Sequence, residues 1–173
     1  RKLQVPWCTP NGIRADRVSK ELFRAMREAG CERVSFGVET GNADVMERLH
    51  KHETLDQIRN AFELAHEAGI RTTGFFMFGN LGETRQSMED TINFAIELNP
   101  TWAQFTMATP YPGTKLYEMV RRDGDPLIRD WEEYGHYTSK TFFRMGAVTP
   151  ELLRYEMKKA YRKFYLRFPK LRD

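Results

Sequence analysis

The chain has 173 residues, of which 40% are hydrophobic and 29% charged; this is ordinary for one globular domain and excludes a disordered protein. The net charge of +3 comes from one terminal segment, since residues 154–173 carry eight Lys or Arg and two Asp or Glu, which leaves 19 and 22 for the rest. A basic surface spread over the whole molecule is thereby excluded, and we do not expect nucleic acid as a partner.

Two further features concern the compartment in which the protein works. No stretch approaches the roughly 18 uninterrupted apolar residues of a membrane span, so we expect no membrane-spanning segment. The two cysteines, Cys8 and Cys31, are too few for a disulfide scaffold and too far apart in sequence for a metal knuckle. They predict a reducing compartment, and we expect the protein in the cytoplasm.

Strand-like and helix-like segments alternate four times in the first 124 residues. Short β-rich runs predict strands over 2–7, 33–40, 70–79 and 102–109. Apolar residues at helical spacing predict helices over 17–29, 44–49, 54–69, 83–98 and 114–122. Asp16 is the expected N-cap of the first helix, whose inward face includes Leu22, and Thr54 with Gln57 forms a capping box for the third.

This alternation predicts an α/β fold with a parallel sheet and right-handed crossovers. Four βα units fit either an open sheet or part of a larger barrel, and the residues alone leave that choice open. After residue 124 the alternation ends, and a basic amphipathic helix is predicted from Pro150 to about Phe168. We therefore expect a βα part over 1–124 and an extension over 125–173 whose helix packs on it.

The carboxyl ends of parallel strands are where ligands bind in such folds. The four corresponding corners, residues 8–14, 37–41, 79–84 and 109–114, are all rich in glycine, proline or small polar residues. Glycine at these positions removes side chains where a ligand can lie against backbone, although ordinary turn chemistry also explains glycine there.

Two charged residues at these corners are candidates for ligand contact. Glu39 ends an otherwise apolar strand, where a carboxylate needs a partner such as a ribose hydroxyl pair, a ligand ammonium or a neighbouring Lys or Arg. Arg14 could contact a ligand carboxylate, or could pair with Asp16 or Glu39.

The stretch FMFGNLGET, residues 76–84, raises the question of a phosphate-binding loop. It has neither the Gly-Lys-Ser/Thr of a P-loop nor the three glycines of a dinucleotide fingerprint. Glu83 stands at the helix entry, where its charge would repel a phosphate. A phosphate site is therefore excluded here.

The sequence offers no metal site within this chain. The four histidines form no ligand spacing with either cysteine. Cys31 is interpreted as a buried small hydrophobe, whereas Cys8, at a corner, is either a functional thiol or a structural residue.

Read in order, the corners resemble the radical S-adenosylmethionine (SAM) superfamily, and within it the group that often carries a cobalamin-binding domain. The matching stretches are WCTPNGIRAD, AGCERVSFGVETGNADVMERLHKHET, AGIRTTGFFMFGNLGET, PYPGTKLYE and, in the tail, AYRKFYLRFPKL. The resemblance implies a partial (β/α)6 TIM-like barrel, of which this chain would hold strands three to six. It also implies SAM, a [4Fe-4S] cluster and, in part of the group, cobalamin as cofactors of the intact protein.

The family's C-x3-C-x2-C loop, which ligates the cluster, and the segment that binds the SAM amino group are not found in this chain. We therefore expect a fragment that is inactive by itself and that needs the amino-terminal part of the same protein. In the intact enzyme the resemblance implies reductive cleavage of SAM to a 5′-deoxyadenosyl radical, with methylation, ring closure or other C–H functionalisation of an unknown small-molecule substrate. The residues that the resemblance implies for cofactor binding are Asn11, Arg14, Glu39, Thr40, Met77, Phe78, Gly79, Tyr111 and Pro112.

Three alternatives remain at this point. The chain could be a non-catalytic SAM-binding or inert α/β module, or it could resemble the methylthiotransferases that modify tRNA. The basic tail could contact RNA or a membrane, although one apolar stripe favours packing: Leu153, Met157, Ala160, Tyr161, Phe164 and Phe168. The exposed edge of the first predicted strand, residues 2–7, predicts a homo-oligomer.

Overall fold

The computed structural model describes residues 5–128, 130, 132 and 141–167. Four parallel strands form one open sheet in the order β1-β2-β3-β4, where the strands are β1 (Trp7–Ile13), β2 (Cys31–Glu39), β3 (Arg71–Phe78) and β4 (Trp102–Met107). The helices are α1 (Lys20–Glu28), α2 (Ala43–Arg48), α3 (Leu55–Glu67), α4 (Arg85–Leu98), α5 (Lys115–Asp123) and α6 (Pro150–Tyr165). A small antiparallel pair joins β5 (Asp125–Pro126) to β6 (Phe143–Arg144). The predicted α/β fold with a parallel sheet is confirmed.

Side-chain caps explain where the helices begin. Each of the six helices starts after a residue whose side-chain oxygen accepts a hydrogen bond from a backbone N–H of the first turn, and these residues are Ser19, Asn42, Thr54, Thr84, Thr114 and Thr149. The capping box of Thr54 and Gln57 is present as predicted. The predicted cap at Asp16 is wrong, because Asp16 lies in a separate 3-10 turn, Ala15–Arg17, and α1 starts only after Ser19.

The first strand also differs from its predicted position. It spans Trp7–Ile13 and not 2–7, of which residues 2–4 lie outside the described part of the chain. Pro10 and Gly12 are typical of a loop, and they conceal the strand in the sequence. Thr9 joins this segment to β2, because the Thr9 hydroxyl accepts from the Ser35 N–H at 3.0 Å and the Thr9 carbonyl accepts from the Ser35 hydroxyl at 2.9 Å. A strand that carries proline is typical of a sheet edge.

The helices cover one face of the sheet, and the main core lies between them. Phe36 on β2 packs against Phe23 of α1 at 6.3 Å and Phe62 of α3 at 4.7 Å between ring centroids. The predicted inward position of Leu22 is wrong, because its neighbour Phe23 fills that space and Leu22 is 42% exposed. On the opposite face of the sheet the alternate residues remain partly exposed, Glu39 among them.

The far edge of the sheet, at β4, is covered by α6. The Tyr161 hydroxyl accepts from the Phe105 N–H at 3.3 Å and donates to the Phe105 carbonyl at 3.2 Å. The Tyr165 hydroxyl makes the same two contacts with Ala103, at 3.1 and 2.9 Å. Two tyrosine hydroxyls thus satisfy the backbone groups that a further strand would use.

Ion pairs and apolar contacts hold α6 in place. Leu153, Ala160 and Phe164 are fully buried, and Glu89 of α4 pairs with two lysines of the helix, Lys159 and Lys163. Phe168 of the predicted stripe lies outside the described residues. The division into parts at residue 124 stays a prediction.

The opposite edge, at β1, faces no other strand of the described sheet. Its pairing with β2 is interrupted by two register shifts, one between Trp7 and Cys8 and one between Cys8 and Gly12. An irregular edge with Pro10 in it is a poor template for a flat intermolecular sheet. Self-association through this edge therefore stays a prediction, and its edge strand is β1 and not residues 2–7. None of the helices in the described part of the chain is long and apolar enough to cross a membrane.

Candidate functional site

Because all four strands are parallel, their carboxyl ends lie in a row along one edge of the sheet. The first predicted corner, residues 8–14, is wrong in part, because residues 8–13 belong to β1 itself and Cys8 lies near the start of that strand. The end of β2 lies between the ends of β1 and β3, and the end of β4 lies beyond that of β3. β1 approaches β2 closely at Gly12, where a Cβ atom would stand 2.7 Å from the Gly37 nitrogen. Glu39 itself is in register with Phe76, after a shift that follows Gly37.

Glu39 is the residue with the most unusual surroundings. Its φ is 67°, a left-handed conformation that a glutamate rarely adopts, and its carboxylate accepts no hydrogen bond from any residue that the structure describes. Burial raises the pKa of its carboxyl above the ordinary range, the Lys51 ammonium lowers that pKa, and the Glu53 carboxylate raises it. A half-buried carboxylate without a donor is suited to receive one from a ligand.

Lys51 and Glu53 come from the loop between α2 and α3. The Lys51 ammonium donates to the Gly37 carbonyl and forms an ion pair with Glu53 Oε2 at 3.1 Å. Two residues that also have left-handed backbones flank it, His50 with φ 52° and His52 with φ 55°. The loop therefore brings a lysine to the corner at the end of β2, a residue that the sequence analysis did not select.

Arg14 and Asn11 represent the end of β1. Arg14 donates to both carboxylate oxygens of Asp16, at 2.8 and 2.9 Å, and its Nε lies 3.9 Å from Glu53 Oε1. Of the two interpretations of Arg14, pairing with Asp16 is thus observed, and half of its side chain still remains exposed. Asn11 lies exposed on β1.

The corner after β3 is arranged around Glu83. This carboxylate accepts from the backbone N–H groups of Gly79 at 2.5 Å and Asn80 at 3.0 Å, and the residue is 2% exposed. Burial raises the pKa of the Glu83 carboxyl to about 7, although those two backbone donors lower it. The amides that a phosphate would need are occupied by the protein's own carboxylate, which agrees with the exclusion of a phosphate loop.

At the same corner β3 offers mainly backbone. The Phe78 ring is fully buried on the helix side and stacks on Phe105 at 5.8 Å, whereas Met77 is half-buried on the other face. Gly79 has φ 88°, which requires glycine, and a Cβ there would meet Ala108, Leu153 and Phe143 at 3.6 Å.

The remaining predicted residues differ in their accessibility. The Thr40 side chain is fully buried, and its hydroxyl lies 3.2 Å from the Thr91 hydroxyl of α4, so it points away from the site. Tyr111 is half-buried and Pro112 exposed in the turn after β4. The structure thus brings Glu39, Met77 and Gly79 to adjacent strand ends, with Arg14 and Asn11 on one side and Tyr111 and Pro112 on the other.

The described residues offer no cluster of metal ligands. Among residues 5–128, 130, 132 and 141–167, no group of three or more His, Cys, Asp or Glu side chains could hold a metal ion. The chain has two cysteines, of which Cys8 is exposed and Cys31 buried. A [4Fe-4S] cluster bound by three thiolates does not fit the residues of this chain.

Comparison with known families decides the assignment. The radical SAM superfamily model matches residues 8–95, which include the first three strand ends. The chain belongs to the radical SAM superfamily. The match covers Arg14, Glu39 and the β3 corner, so the site described above lies mostly within the family's shared region.

Relatives of this radical SAM chain include methyltransferases. An uncharacterised methyltransferase of Pyrococcus horikoshii is 35% identical over 165 residues, which are 95% of this chain and 35% of that protein. The coproporphyrinogen III oxidase of Escherichia coli, a radical SAM enzyme, superposes with a TM-score of 0.63 at 17% identity over 90% of this chain and 31% of that one. The radical SAM methyltransferase TsrM of Kitasatospora setae, solved with cobalamin and a [4Fe-4S] cluster, gives 0.51 at 21% identity over 57% and 19%. The chain spans about a third of the length of its P. horikoshii relative.

The residues present fit SAM, which the family implies as cofactor. The Glu39 carboxylate lacks a hydrogen-bond donor among the described residues, and the Lys51 ammonium is close enough to affect the pKa of this carboxyl. At the neighbouring end of β3, Met77 is half-buried, whereas Phe78 and Gly79 are buried. Lys51 and Glu53 were missed because a His-Lys-His-Glu run between two helices is typical of a solvated loop. The signal that could have identified Lys51 and Glu53 is the cluster of charged residues directly after α2, the short helix that follows β2.

Proposed function

We propose that this chain is the carboxyl-terminal part of a radical SAM enzyme and that the ends of β2 and β3 hold SAM. The observation that carries the proposal is the half-buried Glu39 carboxylate, which has an unfavourable backbone and no hydrogen-bond donor from the described residues. Backbone strain at a glutamate costs on the order of 1 to 3 kcal/mol and is found mainly where function requires it. A ligand that donates hydrogen bonds would offset this cost.

Each side chain would hold a different part of SAM. Glu39 would accept from the ribose hydroxyl pair, because a carboxylate can accept both hydroxyls at once. Lys51 would pair with the carboxylate of the methionine end. The backbone of Phe78 and Gly79 would lie against the adenine, with Met77 excluding water beside it and Tyr111 and Pro112 at the rim. Arg14 and Asn11 would face SAM or the substrate, whereas Thr40 would contribute through its backbone alone.

The chemistry of SAM beside a reduced [4Fe-4S] cluster is reductive cleavage followed by hydrogen abstraction from a substrate. The cluster would be held by another part of the protein, since the residues of this chain do not fit it. We therefore propose that the isolated chain does not cleave SAM. The task of this chain is to orient SAM and the substrate and to exclude water from them.

Methylation of a small-molecule substrate is the reaction that the relatives favour. The P. horikoshii relative and TsrM are both named as methyltransferases, and TsrM carries cobalamin. We propose cobalamin as a second cofactor of the intact enzyme, bound outside this chain. Ring closure and other C–H functionalisation remain alternatives that product analysis of the intact enzyme would separate.

The proposal is tested by isothermal titration of SAM into the full natural polypeptide that carries this chain, with its cluster reconstituted. Glu39→Gln should weaken SAM binding at least about tenfold, because hydrogen bonds to a charged group are replaced by weaker ones. Glu32→Gln is the matched control, since Glu32 lies at the opposite end of β2 and pairs with Arg71 at 2.7 Å. Equal SAM affinity of the Glu39→Gln variant and the unsubstituted protein would exclude this site.

A further inference from the structure

Backbone strain in the described residues is concentrated around Lys51. Four non-glycine residues have positive φ, and three of them, Glu39, His50 and His52, lie at the corner of β2 and the loop after α2. The fourth, Asn99, is the C-cap of α4, where a left-handed residue is common. His50 directly follows Leu49, the C-cap of α2, and its N–H donates to the Glu47 carbonyl, so helix termination also explains the left-handed backbone of His50. Helix termination does not explain the left-handed backbones of Glu39 and His52.

The Lys51 ammonium has three N–H donors, and the described residues do not occupy all of them. One donates to the Gly37 carbonyl, and the ammonium also forms an ion pair with Glu53 Oε2 at 3.1 Å. A lysine ammonium has a third donor, and no described residue accepts it. The Lys51 side chain is 19% exposed, so this third donor is available to a ligand in the site.

Glu53 connects the elements around this lysine. Its side chain is 2% exposed, its Oε1 accepts from the Ala15 N–H at 3.0 Å after β1, and its Oε2 holds Lys51. Arg14 adds a weaker attraction at 3.9 Å. A buried carboxylate must be paired. Because Glu53 contacts both Ala15 and Lys51, the position of the segment after β1 fixes the direction in which the Lys51 ammonium points.

We propose that Glu53 is a positioning residue that acts through Lys51, so that the third ammonium donor meets the carboxylate of the bound ligand. The inference rests on the proposed SAM site. Without the Glu53 charge, Lys51 has one carboxylate left beside it, that of Glu39, and it turns to that group. The ligand carboxylate then loses its cation, and Glu39 loses its freedom to accept from the ligand.

The test compares SAM with decarboxylated SAM, which keeps the adenosine, the sulfonium and the amine but has no carboxylate. Both are titrated into the full natural polypeptide with its cluster reconstituted. Glu53→Gln should reduce the preference for SAM over decarboxylated SAM about tenfold, with little change in the affinity for decarboxylated SAM. The matched control is Glu47→Gln, an equal change in charge at an exposed residue of α2 that lines, together with Lys51 and Glu53, a cleft between α2 and the start of α3.

A double-mutant cycle separates action through Lys51 from a direct effect. Lys51→Met should reduce the same preference, and Glu53→Gln added to it should have no further effect, because the residue through which Glu53 acts is gone. A second readout is the pKa of Glu39 in the ligand-free protein, followed by carbon NMR. Glu53→Gln should lower that pKa, since a neighbouring negative charge is removed and Lys51 comes closer, and Glu47→Gln should not.

The outcomes are distinguishable. Absence of SAM binding by the unsubstituted protein overturns the proposed SAM site and this inference with it. SAM binding with an unchanged preference in Glu53→Gln, or additive effects of Glu53→Gln and Lys51→Met, overturns the positioning role alone. A Glu53→Gln variant that does not fold is replaced by Glu53→Asp, which keeps the charge but moves the carboxylate away from Lys51, and an unchanged preference for SAM in that variant likewise overturns the positioning role.

Discussion

Glu39 and Glu83 lie at the ends of neighbouring strands, but their carboxylates differ in their hydrogen-bond partners. Glu83 stabilises its own turn, whereas Glu39 can accept hydrogen bonds from a ligand. Both carboxyls have a pKa raised mainly by burial. Glu83 accepts two backbone hydrogen bonds from its own turn, whereas Glu39 accepts none from the described residues. Location at a strand end is therefore insufficient to assign a function, and the hydrogen-bond partners decide.

The largest expected effect is on stability at the β3 corner. Glu83→Ala leaves the N–H groups of Gly79 and Asn80 without an acceptor in a buried turn, and should lower the free energy of unfolding by about 3 kcal/mol. Urea denaturation of this chain, followed by circular dichroism, measures it. Glu39→Ala is the matched control and should change the free energy of unfolding by less than about 1 kcal/mol. Equal losses in the two variants would remove the contrast.

The second prediction concerns pH. The folded-state pKa of Glu83, about 7, lies above the ordinary value of 4.5, so the folded protein binds the proton more tightly than the unfolded one. This contribution to stability is complete below about pH 4.5 and is lost as the pH rises through about 7. The free energy of unfolding should fall by about 2 kcal/mol between pH 5 and pH 7 from this group.

Glu83→Gln is the variant that isolates this dependence. Glutamine keeps the shape of the protonated carboxyl and does not titrate, so the fall in unfolding free energy from pH 5 to pH 7 should be smaller by about the same 2 kcal/mol. Denaturation curves at the two pH values provide the measurement. An undiminished pH dependence in Glu83→Gln would assign the effect to other groups.

The third prediction concerns backbone strain at the β2 corner. Glu39→Gly removes both the left-handed glutamate and a half-buried carboxylate, and the free energy of unfolding should stay unchanged or rise by up to about 1 kcal/mol. Gly79→Ala should instead lower it by about 1 kcal/mol, because alanine disfavours φ 88° while its Cβ has ordinary contacts at 3.6 Å. In thermal denaturation, the melting temperature should fall for Gly79→Ala, and it should rise or stay unchanged for Glu39→Gly.

The smallest expected effect is electrostatic. Lys51→Met removes the positive charge that lowers the pKa of Glu39, and this pKa should rise further above its ordinary range. Carbon NMR of the Glu39 carboxyl over pH measures the change, with Lys158→Met on α6 as a distant control. A pKa that falls in Lys51→Met would contradict the arrangement of charges at this corner.

Much of the fold could be predicted from local sequence. The strands β2, β3 and β4 and the helices α2 to α5 carry period-2 or helical patterns, and the helices also have caps. Their predicted bounds agree with the structure within three residues. The first strand could not be located, because a sheet edge with Pro10 and Gly12 has no apolar alternation. Its pairing depends on the tertiary contact between Thr9 and Ser35.

The sequence placed most of the candidate residues near the carboxyl ends of the strands, but it did not indicate the charged residues around Glu39, and the site itself stays a prediction. Glycine-rich strand ends identified the edge of the sheet, and Glu39 follows from a carboxylate at the end of an apolar strand. The positions of Lys51 and Glu53 depend on the left-handed backbones of His50 and His52. Histidine adopts this conformation more often than most residues, but that preference alone does not locate it in a sequence. The family resemblance contributed SAM and the missing cluster loop, which neither composition nor periodicity could supply.

The tyrosine contacts at β4 have a consequence for the order in which the protein assembles. During synthesis β4 leaves the ribosome more than 40 residues before the start of α6, and for that interval its outer backbone groups have no hydroxyl to bind. The nascent sheet is then open to pairing with strands of other chains. Docking of Tyr161 and Tyr165 ends this interval, so the last helix acts on folding as a terminator of sheet growth. Chains that stop before residue 161 should aggregate as they emerge, even though every strand of the sheet is present.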